Sequence, residues 1–134
     1  MAENTVVKDQ LTDAMVEAGA ELTRKLDEAG LLTNAALWLF DPEINEWRLL
    51  FASPEISAQG SRKVYEQIRL ALEQLGDKAS AAPLSAIGLL DQNADLVKVL
   101  KIAIRTGSGL GRVRFSKNVI NGHFIEDALI YRVA

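Results

Sequence analysis

The chain is predicted to be an α+β domain, from three observations. Apolar residues recur at helical spacing near the amino terminus, two hairpin patterns each follow a helix and a glycine, and Asn121-Gly122 sits between two strand-like runs. The expected order is α-β-β-α-β-α-β-β, with three helices packed on a five-stranded, mostly antiparallel sheet. The pattern helix, glycine, two strands occurs twice, from Lys8 to Ser53 and again from Asp95 to Val133.

Val7, Leu11, Met15, Ala18, Leu22, Leu26 and Ala29 are three and four apart, which places them on one helical face. Gly30 follows as the carboxyl-terminal cap, with Leu31 positioned to fold back over the last turn. Gly19, inside this helix, costs about 1 kcal/mol against alanine and implies that another element packs closely there. Ala35–Phe40 is a continuous apolar run, as expected of a strand covered on both faces. Asp41–Glu46 supplies a turn, and Trp47–Phe51 returns as the second strand of a hairpin.

Ser53–Gly60 is read as a loop, and Ser61 as the amino-terminal cap of a helix that buries Val64, Ile68, Ala71, Leu72 and Leu75. Asp77–Pro83 is expected to be a mobile linker, and Leu84–Leu90 a buried strand. Asp91 or Asn93 is the expected cap of the next segment. Leu96–Ile104 fits a helix, and Val97 and Val99 also fit a strand. Helix is preferred because the segment from the expected cap at Asp91 or Asn93 to Arg105 exceeds ten residues and a glycine loop closes it.

Asn121-Gly122 tolerates the left-handed dihedrals of a two-residue hairpin turn. The register it sets opposes Ile120 to His123, Val119 to Phe124, Lys117 to Glu126, Phe115 to Ala128 and Val113 to Ile130. Strict alternation then puts Val113, Phe115, Val119, Phe124, Ala128 and Ile130 on the core side.

A length of 134 fits one domain, taken as residues 8–134 behind a flexible segment 1–7. Net charge -3 argues against general attraction to nucleic acid or anionic lipid. The absence of cysteine excludes disulfides and thiolate metal sites and fits a cytoplasmic setting. No apolar stretch is long enough to cross a bilayer, and the first residues lack a signal-peptide pattern.

Arg105, Arg112, Arg114, His123 and Tyr131 form the candidate anion or nucleic-acid face, with the tyrosine as a stacking partner for a base or sugar. The loop from Arg105 to Arg114 is rich in glycine, but a helix precedes it and a strand follows. This reverses a dinucleotide fingerprint and favours a plain connection. A lone His123 lacks the partners for a nucleophilic or metal site. Asp41 and Glu43 are the candidate ligands of a metal-dependent hydrolase, although the following strand lacks the acid or lysine that such a site uses. Trp38, Trp47, Phe51, Ile125 and Leu129 are the candidate interface residues. The leading expectation is a non-enzymatic interaction or regulatory domain, self-associating or bound to a protein partner, with no cofactor and no metal. Binding of nucleotide or nucleic acid is the alternative, and metal-dependent hydrolysis the second alternative.

Overall fold

A computed structural model describes residues 9–134. The expected helical positions Val7 and Lys8 and the expected flexible segment 1–7 lie outside the described residues. Helix α1 spans Asp13–Glu28, and Thr12 Oγ1 caps it by accepting the Met15 amide at 3.2 Å. Gly30 takes a φ of +82°, which lets the Leu31 amide reach the Leu26 carbonyl at 2.9 Å and buries Leu31 against the last turn.

Strands β1 (Ala35–Asp41) and β2 (Glu46–Ala52) form the first hairpin. Helix α2 (Glu55–Gln59) and helix α3 (Ser61–Leu75) follow, then β3 (Ile87–Leu90), α4 (Asp95–Ala103), β4 (Val113–Ile120) and β5 (His123–Val133). The strands lie in the order β3-β2-β1-β5-β4, and every pairing is antiparallel except β2 with β3. The fold is the expected α+β arrangement, with one helix more than the sequence reading allowed. None of the helices among the described residues is long and apolar enough to cross a membrane.

Both sheet faces are covered. Trp38, Phe40, Trp47, Leu49 and Phe51 pack with α1 and α3, whereas Leu37, Ala52, Ala128 and Ile130 pack with Val97 and Leu100 of α4. That is why β1, the central strand, has apolar residues at successive positions. The two helix–hairpin units share an order but not a geometry. In the first unit the leading strand lies nearer the middle of the sheet and in the second the trailing strand does, and their helices cover opposite faces.

Several local expectations are corrected. The stretch read as a loop after Ser53 contains α2, and Gly60 at φ +88°, not Ser61, stands at the start of α3. The expected mobile linker is a 3-10 helix, Gly76–Ala81, tied to α1 by Lys78–Glu21 at 2.9 Å and followed by a fully buried Ala82. The third strand is shorter than expected because Leu84–Ala86 forms a 3-10 turn. Ala94 precedes α4 without a side-chain cap, and Asp91 instead accepts the Asn93 amide at 2.7 Å.

The second hairpin keeps the expected register, and Asn121 and Gly122 take φ of +49° and +84°. Its alternation does not survive. Lys117 sits at φ +45°, and the ladder skips Lys117 and Glu126. Such a local break turns the strand and exchanges its faces. Phe115, Ala128 and Ile130 lie toward α4 as expected, but beyond the break Ile120 and Ile125 take that side. Val119 and Phe124, expected in the core, are turned out at 59% and 60% exposure.

Candidate functional site

Of the arginines of the candidate anion face, Arg112 and Arg114 are engaged within the chain, and Arg105 is exposed. Arg112 pairs with Glu17 of α1 at 2.8 Å, and that guanidinium holds the carboxyl below its usual range. Arg114 grips Asp127 through Nε at 2.6 Å and Nη2 at 2.7 Å, and Ser116 Oγ donates to the same carboxylate at 2.8 Å. The Arg114 guanidinium also lies 5.4 Å from the Trp47 ring centroid. A bidentate grip of this kind holds the arginine with its own acid instead of presenting it to a phosphate. His123 is exposed at the turn, its Nδ1 3.4 Å from the Asn121 carbonyl.

Tyr131 is fully buried and does not stack on an open face, which corrects the stacking reading. The break in alternation does not reach it, and its ring lies under α1. Its hydroxyl donates to the Val16 carbonyl at 2.6 Å and accepts from Trp38 Nε1 at 3.1 Å. Burial pushes the phenol well above its ordinary value of 10.0. The folded chain therefore holds this proton more tightly than the unfolded chain. Stability is expected to be undiminished below pH 10.0 and to fall as pH rises past it. Urea midpoints between about pH 8 and pH 11 check this, and Tyr131→Phe should flatten part of the slope.

The candidate interface residues Trp38, Trp47, Phe51, Ile125 and Leu129 are all buried in the chain's own two core layers. They do not form a surface, because helices cover both faces of the sheet, as the continuous apolar run of β1 implied, and leave the first hairpin no bare apolar face. Asp41 Oδ1 accepts the Glu43 amide at 3.0 Å, as a turn carboxylate does. Among the described residues no three His, Asp or Glu side chains stand together as metal ligands.

The structure assembles a different site on the α4 side of the sheet. Helix α4 has nine residues and covers only part of that face. Beyond it a cleft of about 390 Å³ opens, lined by Leu39, Leu50, Gly88, Leu89, Leu96 and Ile125. Phe124 stands at its edge, and Arg48, Asp41 and Glu126 supply the charged groups. The volume falls in the range of ligand sites, about 300–1,000 Å³. Arg48 opposes Leu39 across the first hairpin and reaches toward the start of β3, where its Nε donates to the carbonyl of Ala86, the last residue of the preceding 3-10 turn, at 3.2 Å.

Sequence reasoning missed this cleft, yet two signals in the chain mark it. Arg48 is a lone cation in the strand run Trp47–Phe51, and Gly88 interrupts the apolar run of β3. A glycine inside a strand often marks a close approach. A Cβ built at Gly88 would lie 2.9 Å from Leu50 Cδ2 and 3.1 Å from Arg48 Nη2, so the missing side chain makes room for both. No family model, curated protein or solved structure matches the chain.

Proposed function

We propose that the chain is a non-enzymatic interaction or regulatory domain of the cytoplasm that self-associates through the tip of the β4–β5 hairpin. One observation carries this reading. The break at Lys117 turns Val119 and Phe124, directly opposed across the ladder, out to solvent at 59% and 60% exposure. Phe124 also borders the apolar cleft, so the outward pair is continuous with further apolar surface. In a twofold dimer the same patch meets its own copy, and an aromatic side chain at the centre of such a contact dominates its energy.

Sedimentation at micromolar concentration tests the reading. The expected result is a reversible dimer whose dissociation constant rises about tenfold or more in Phe124→Ser. The circular dichroism spectrum should stay unchanged, because the residue is exposed. A strict monomer across the concentration range, or a dimer indifferent to the substitution, would overturn the assignment of this surface.

A further inference from the structure

We infer that the cleft beside α4 is a ligand site for a monocarboxylate with an apolar body, and that Arg48 receives the carboxylate. This goes beyond self-association and does not require it. Arg48 is half-buried, and its guanidinium forms no ion pair among the described residues. Its bond to the Ala86 carbonyl and its seat over Gly88 place the guanidinium across the β2–β3 end of the cleft. A guanidinium set among leucines gains most from an acceptor that makes two parallel hydrogen bonds, and a carboxylate has that geometry. The rest of the lining (Leu39, Leu50, Leu89, Leu96, Ile125 and Phe124) suits a hydrocarbon or aromatic body.

The other charges narrow the class. Asp41, at the β1–β2 turn, and Glu126, on β5, also line the cleft, so its charged groups sum to one negative charge. A phosphate-rich polyanion would meet two carboxylates for one guanidinium and be disfavoured. A single carboxylate on Arg48, with its body leading away along the leucines, meets least repulsion.

Titration of the full chain with decanoate, decanol and decylamine, each below its micelle-forming concentration, tests this, with amide resonances followed by NMR. Decanoate is expected to saturate, with shifts concentrated at Gly88, Leu96 and Ile125, and to bind about tenfold or more tightly than decanol. Arg48→Gln should weaken decanoate by about the same factor and leave decanol within about twofold. Gly88→Ala, by displacing the guanidinium, should act in the same direction as Arg48→Gln.

Equal decanoate binding by wild type and Arg48→Gln would overturn the assignment. So would decylamine binding more tightly than decanoate, since Asp41 and Glu126 would then dominate the cleft. Shifts elsewhere, or no binding by any of the three probes, would also end it. A monomer that binds decanoate would remove only the self-association. A dimer that does not bind would remove only the ligand site.

Discussion

Gly19→Ala is expected to destabilise the fold by about 3 kcal/mol, at the top of the usual range for overpacking a core. A Cβ at this position would lie 2.5 Å from the Tyr131 hydroxyl oxygen and 2.7 Å from Trp38 Nε1. Neither partner has room to withdraw. Trp38 and Tyr131 are both fully buried, Trp38 Nε1 also donates to the Met15 carbonyl at 3.1 Å, and the Tyr131 hydroxyl is bonded to Val16. Any displacement that relieves the clash stretches hydrogen bonds worth about 1 kcal/mol each. The helix-propensity gain of alanine, about 1 kcal/mol, opposes this and is too small to win. Urea denaturation of Gly19→Ala beside Gly109→Ala checks it. Nothing lies within 4 Å of a Cβ at Gly109, so that substitution should be close to neutral. Equal midpoints for the two variants would show that α1 does not lie this close to the sheet.

Asp27→Ala is expected to cost about 2–3 kcal/mol, somewhat below the 3–5 kcal/mol of a fully buried broken pair. The discount follows from geometry. The Arg132 side chain is 6% exposed, whereas Asp27 keeps 36%. Arg132 Nη1 donates to Asp27 Oδ1 at 2.9 Å and Nη2 to Oδ2 at 2.8 Å, and Nη1 also reaches Thr33 Oγ1 at 2.8 Å. The buried Nε has no acceptor among the described residues, so the carboxylate carries most of the compensation for desolvating this cation. Removing Asp27 strands the charge. Removing both charges, in Asp27→Ala with Arg132→Met, should restore part of the loss. A double-mutant cycle by chemical denaturation reads the coupling directly. A double variant less stable than Asp27→Ala alone would mean that Arg132 contributes through packing and Thr33 instead.

The features legible in the sequence were those decided within a few residues. Asn121-Gly122 set the register of the second hairpin because only a few residue types accept two successive positive φ angles. Gly30 and Leu31 marked the end of α1, and Gly19 inside a helix implied a close neighbour, which is the Trp38–Tyr131 pair. The features not legible depend on partners distant in the chain. Lysine has no special preference for φ +45°, so nothing in the run Val113–Ile120 announced that its faces exchange at Lys117. That exchange put Val119 and Phe124 outside and Ile120 and Ile125 inside. The arginines looked available because their acids, Glu17 and Asp127, are on other elements. The cleft was hidden for a related reason. It exists because α4 is short relative to the face it covers, and that mismatch emerges only once the sheet is assembled.

The placement of β5 beside β1 has a consequence for how the chain becomes folded. Ala35 pairs with Val133 and Leu39 with Ala128, so the sheet is joined at its centre by the segments most widely separated along it. A chain growing on the ribosome can close the first hairpin early, and β2 can then recruit β3. The inner edge of β1, with Leu37 and Trp38, stays bare until β5 arrives. Closing the longest loop last makes for slow folding, and an apolar strand edge left waiting is a site where nascent chains join one another. Pairing of β5 with β1 covers that edge and ends the vulnerable interval.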